Sequence, residues 1–139
     1  MATRSFTVEI PVNHHGGNIR GVYIVTWAGL LNGDDGAPFV FPDKADKSVQ
    51  VTGTFGAGGN LKIEGANAQG YIPSLTGGTA LTPTYALLAD PQGTALDITA
   101  AKIEQVLENT NVIRPRVSAG DGTTSLVCVL VCRTSKMNG

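Results

Sequence analysis

Apolar residues along this chain recur mostly at every second position, in short runs broken by glycine and proline. In the stretch 5–11, Phe6, Val8 and Ile10 fall on one face. Residues 22–28, Val-Tyr-Ile-Val-Thr-Trp-Ala, are dense in the β-branched and aromatic side chains that suit a pleated, half-buried surface. A shorter candidate strand covers 37–41, and 48–55 puts Val49, Val51 and Phe55 on one side. The alternation resumes at Asn60 after a glycine-rich turn, so 48–55 and 60–66 are expected to pair as a hairpin. Segments 84–89, 113–118 and 123–133 complete the set.

One segment departs from this period. Ile103, Val106 and Leu107 stand at helical spacing behind Thr99, a possible N-cap. The segment 100–107 is therefore read as one short helix or an irregular crossover loop. About eight strands at intervals of roughly ten to fifteen residues predict an all-β, two-sheet sandwich, with jelly-roll connections expected. No repeat or linker divides residues 1–139, which read as a single domain. The last strand is apolar on both faces: Leu126, Cys128, Leu130 and Cys132 on one, Val127, Val129 and Val131 on the other. Either a loop or the short helix covers its second face, or that face lies at a subunit interface.

Composition narrows the function classes. The formal net charge is −1 and the ten Lys and Arg residues are scattered, whereas nucleic-acid binding calls for a basic stripe. No apolar run reaches the length needed to cross a bilayer, and Met1–Ser5 does not open a signal peptide, so a protein made in a cytoplasm is expected, with neither nucleic acid nor membrane as partner. Cys128 and Cys132 lie four apart on one strand, about 13 Å from Cα to Cα. A disulfide requires less than about 7 Å, so both read as buried thiols acting as small apolar groups.

Candidate chemistry is sparse. His14 and His15 are the two histidines, adjacent in a loop sequence without a Cys or carboxylate at ligand spacing; they read as solvated, not as a metal or catalytic pair. Asp34-Asp35-Gly36 and Asp121-Gly122 lack the alternating acidic loop of a calcium site and read as turns. The glycines of 53–59 lack the Lys-Ser/Thr ending of a phosphate loop and precede a strand. Catalytic, cofactor and metal residues are therefore expected to be none. Trp27, Phe39 and Phe41 serve either as core or as a platform for sugar rings. Arg114 and Arg116 flank Pro115 on one strand face, where they either grip a partner's carboxylates or meet solvent.

Residues 47–56 (Lys-Ser-Val-Gln-Val-Thr-Gly-Thr-Phe-Gly), 60–67, 88–96 and 106–117, with Gly120-Asp-Gly-Thr-Thr124 following, resemble small virion proteins of tailed bacteriophages. The pattern is most similar to the capsid cement, or decoration, proteins of short-tailed phages of the Bordetella phage type, over roughly residues 45–133. That resemblance implies a jelly-roll homodimer on the capsid exterior that bridges neighbouring major capsid proteins, without catalytic residues or cofactor. Phe39, Phe41, Arg114 and Arg116 are the expected capsid or dimer contacts, and the N-terminal segment is a further candidate. A carbohydrate- or receptor-binding module of a phage tail or fibre is the alternative, and a head-completion component would also fit.

Overall fold

The computed structural model describes residues 1–17, 21–40, 46–67 and 83–133. Among these residues there is no helix, and twelve strands form two sheets. In chain order they are β1 (Thr3–Arg4), β2 (Phe6–Glu9), β3 (Val22–Leu31), β4 (Asp35–Gly36), β5 (Phe39–Val40) and β6 (Asp46–Thr54). There follow β7 (Asn60–Ala66), β8 (Ala86–Leu87), β9 (Asp97–Ile98), β10 (Lys102–Gln105), β11 (Val112–Ala119) and β12 (Ser125–Arg133). One sheet runs β1-β4-β11-β7-β8, with β5 also on β11 and β9 also on β7; the other runs β10-β6-β12-β3-β2.

The expected two-sheet sandwich is thus present. Its long strands bury alternate residues: Val49 and Val51 on β6, Leu61 and Ile63 on β7, Ile113 and Val117 on β11, and Leu126, Cys128, Leu130 and Cys132 on β12 join one buried cluster. Trp27 sits in that cluster with 1% of its surface exposed, and its indole N–H donates to the Ala37 carbonyl at 2.9 Å. Phe6 meets both Trp27 and Phe39 edge-to-face, at 5.7 and 5.5 Å between ring centres. Such packing leaves no room for a Cβ at Gly36, which would stand 2.5 Å from Trp27 Cδ1 and 2.7 Å from Pro115 Cδ.

A bulge lets β3 serve this core. Leu126 pairs with Leu30 and Cys128 with Trp27, so Ala28 and Gly29 together oppose Val127. Gly29 takes a φ of +66°, the left-handed conformation a bulge can use and glycine adopts without strain. Both Trp27 and Leu30, three residues apart, consequently point inward.

Two expectations are overturned. Segments 48–55 and 60–66 do not form a hairpin: β6 pairs with β10 and β12, and β7 with β8, β9 and β11, in opposite sheets. The connection passes from one layer to the other, so the apolar faces of β6 and β7 meet across the core instead of lying side by side. Alternation defines the faces of a strand, and both arrangements satisfy it. The segment 100–107 is not a helix; its middle, Lys102–Gln105, forms β10, antiparallel to β6, and its two ends are irregular. Val106 is buried, whereas Ile103 and Leu107 are 62% and 51% exposed. Two helical turns would gain little on their own, while four residues laid along β6 satisfy an otherwise open edge.

Candidate interaction surface

Two of the four expected contact residues turn out to be occupied inside the molecule, and a third is core. Phe39 is 9% exposed and packs on Phe6, because β5 pairs with the central strand β11 and turns this ring inward. Phe41 lies outside the described residues. Arg114 and Arg116 do share one face of β11, as alternation requires, but their charges are spent internally. Arg114 reaches Glu64 at 3.1 Å and Asp35 at 3.1 Å, and its guanidinium lies 3.7 Å from the centre of the Tyr85 ring. Arg116 Nε donates to the other Glu64 oxygen at 3.1 Å. Glu64, 8% exposed, is thus held by two guanidinium groups. Burial raises the Tyr85 hydroxyl above its ordinary pKa despite the adjacent Arg114 cation.

The acidic pairs are likewise built into the fold. Asp34, 3% exposed, accepts from the Ala2 amide at 2.9 Å, Arg4 Nε at 2.7 Å and the Leu31 amide at 3.0 Å. Burial by itself would raise its carboxyl; the Leu31 amide, the Arg4 guanidinium and the Ala2 amide outweigh that and hold it below 3.8. Asp35 accepts from Thr3 Oγ1 at 2.7 Å, so the two carboxylates fasten the N-terminal strand to β4. Asp121 takes up the Thr123 amide and hydroxyl and the Ala57 amide, which lower its pKa to about 2 and tie the β11–β12 turn to the loop after β6.

His14 and His15 are exposed, in a turn whose amides at His15 and Gly17 donate to the Asn13 side chain. Among the described residues, no group of three or more His, Cys, Asp or Glu could hold a metal ion. Cys128 and Cys132 are both buried and not joined in a disulfide; burial pushes Cys128 up to about 12, so it stays protonated and unreactive. Lys47 is buried at the end of β6, where its ammonium donates to Asn109 Oδ1 at 2.6 Å. Desolvation lowers its pKa, against the pull of Cys132, Asp46 and Glu108.

Among the described residues, a largely neutral area also stands open to a partner. In the five-stranded sheet, the register aligns the outward residues into rows: Ile103, Gln50, Val129, Thr26 and Thr7 in one, Gln105, Ser48, Val131, Ile24 and Glu9 in the next. Thr52, Val127 and Ala28 continue the pattern. Charge is confined to the rim, at Glu9 on one edge strand, at Lys102 and Glu104 on the other, and at Asp46 and Arg133, cross-strand neighbours at one end. There the face dips into an open depression of about 360 Å³ bordered by Lys47, Ser48, Gln105 and Val131 as well as that pair. The three valines of β12 are half-buried by their neighbours, and the described strands place nothing over them. The short helix expected at 100–107 is a strand of the same sheet and so does not cover this face.

Neither the family models nor the curated proteins compared with the chain give a match.

A second apolar patch lies on the β2 side, where Val8, Ile10 and Val12 are 46%, 49% and 58% exposed. Val8 opposes Val25 and so points to the inner side of its sheet, yet it remains open. By contrast, the outward face of the other sheet carries Lys62, Glu64, Arg114 and Arg116 and is laced by ion pairs. The alternation of Ser48, Gln50, Thr52 and Thr54 was a legible signal of a neutral outward face. Ile103, masked by its helical spacing, was not.

Proposed function

We propose that the chain is a structural virion protein that binds the outside of a bacteriophage capsid, bridges neighbouring major capsid proteins and stabilises the DNA-filled shell. The observation that carries this reading is the neutral outward face of the five-stranded sheet. Solvent-facing sheets ordinarily carry interspersed charges that discourage association. Here Arg114, Arg116 and Glu64 pair on the opposite sheet, the charges of this sheet stand at its rim, and uncharged residues, several of them β-branched, occupy the middle of the face. Val, Ile and Thr have few rotamers to lose, so a contact made through them gives up little entropy.

The sequence resemblance to cement proteins supports the same reading. DNA packed in a shell pushes outward, and contacts between capsomers are the weak points. A subunit touching several neighbours gains strongly from simultaneous engagement even where each contact is weak. A homodimer on a two-fold axis offers identical patches to both sides. Net charge near zero permits dense decoration without mutual repulsion. The rival sugar-binding reading loses two of its three expected platform rings, because Trp27 and Phe39 are buried in the core.

Copy number in purified virions tests the proposal. A cement subunit is expected in hundreds of copies per particle, following the capsid lattice, whereas a tail or connector component would be present in about a dozen. A count near a dozen, or no copies at all, would refute it.

A further inference from the structure

We infer that β2, an edge of the five-stranded sheet, takes up an extended segment of another protein as a further strand, with apolar residues at alternate positions and a basic residue beside Glu9. This rests on the proposed function only for the donor of the segment, which on that reading is the shell subunit.

An edge strand presents a row of open backbone N–H and C=O groups, and proteins ordinarily blunt it. Other edges of this molecule are blunted. β1 and β8, at the two ends of the seven-stranded sheet, are two residues long. β10, the other edge of the five-stranded sheet, sets Lys102 opposite Val51 and Glu104 opposite Val49. Those two charges stand on the inner side of the sheet, 3.5 Å from each other, and an incoming strand would have to bury both. β2 has no such guard. It pairs with β3 alone, and no hydrogen bond among the described residues reaches its groups that face away from β3.

The core also stops short at this strand. One inner row runs from Val49 through Leu130 and Val25 to Val8. The first three are at most 1% exposed, whereas Val8 is 46% exposed, and Ile10 and Val12 beyond it are open as well. A strand laid against β2, about 4.8 Å away, would set an apolar side chain beside Val8 and carry the row one position further. Main-chain bonds then supply affinity and the alternate side chains supply register. Charge sets the last requirement. Glu9 is the ionic residue of β2, exposed and without an ion pair among the described residues, so a cationic cross-strand neighbour is favoured.

The test titrates the synthetic peptide Lys-Thr-Val-Thr-Val-Thr-Val-Lys into the isotope-labelled full chain and follows the amide resonances. Shifts are expected at residues 6–10 and not at 102–105, half-saturating below about 1 mM, with slowed hydrogen exchange in β2. Val8→Lys should weaken binding at least about tenfold, and Glu9→Lys about threefold at low salt. Ile103→Lys, on the guarded edge, should leave it unchanged. Circular dichroism would verify folding, and the exposed Glu9 tests the edge even where Val8→Lys impairs it. No shift at about 1 mM, or shifts centred on β10, would overturn the inference. So would self-association of the chain that Val8→Lys abolishes, since the edge would then belong to a second copy. A chain that takes the peptide at β2 yet decorates no capsid would sink the proposed function and leave strand addition standing. One that decorates capsids but ignores the peptide would do the reverse.

Discussion

Replacing Trp27 with Ala is expected to lower the unfolding free energy by about 3–5 kcal/mol, the range for deleting a large buried ring. The indole is 1% exposed, touches Phe6 edge-to-face and donates to the Ala37 carbonyl. It also occupies the space that Gly36 leaves by having no Cβ. Removing it leaves a void bounded by both sheets and an unpaired carbonyl, two penalties that add. Trp27→Phe keeps a ring in the site and should cost less, about 1–2 kcal/mol, mainly through the lost hydrogen bond and smaller volume. Denaturant unfolding followed by far-ultraviolet circular dichroism measures both, since tryptophan fluorescence disappears with the side chain. A loss under 1 kcal/mol for Trp27→Ala would contradict the described core.

Asp34 should give the second large effect. Its carboxylate is the common acceptor for Ala2, Arg4 and Leu31, so Asp34→Ala strands two part-buried amides and a guanidinium and should cost about 2–4 kcal/mol. The same group makes stability depend on acid. Because its folded pKa lies below the ordinary 3.8, its contribution is complete above about pH 4 and fades as pH falls through the folded value. Asp121, lowered to about 2, acts in the same direction. Stability measured between pH 7 and pH 2 should therefore drop below about pH 4 in the wild type, with a shallower fall in Asp34→Asn. The gap between the two proteins should narrow as acid removes what the substitution has already removed. A gap that stays constant to pH 2 would show that Asp34 does not hold the N-terminal strand.

How much of this was legible in the sequence depends on which interactions alternation reports. Period-two patterning marked most strands and their inner faces, from Val49 and Val51 to Leu126 and Cys132. It could not choose partners: β6 and β7 looked like a hairpin because either pairing satisfies the same pattern. The spacing of Ile103, Val106 and Leu107 imitated a helix, although only Val106 faces the core. That Arg114 and Arg116 share a face followed from their separation by one residue. That Glu64 neutralises them did not, since it lies fifty residues away from Arg114 and meets it only through the β7–β11 register. Phe39 was open to a core or a contact role in the sequence, and pairing of its strand with β11 carries it into the core. The interaction face was half visible: β12 was dry on both sides, and β6 alternated uncharged polar residues outward. Their assembly into rows needed the strand order, which local pattern does not contain.

An adhesive role makes one direct demand on the particle itself. DNA-filled capsids should be heated with the protein present, with it absent, and after purified protein is added back to capsids that lack it, and the temperature of DNA release recorded. The account predicts release at a lower temperature without the protein and recovery on adding it back. Equal release temperatures in all three preparations, or failure of the added protein to bind, would contradict it.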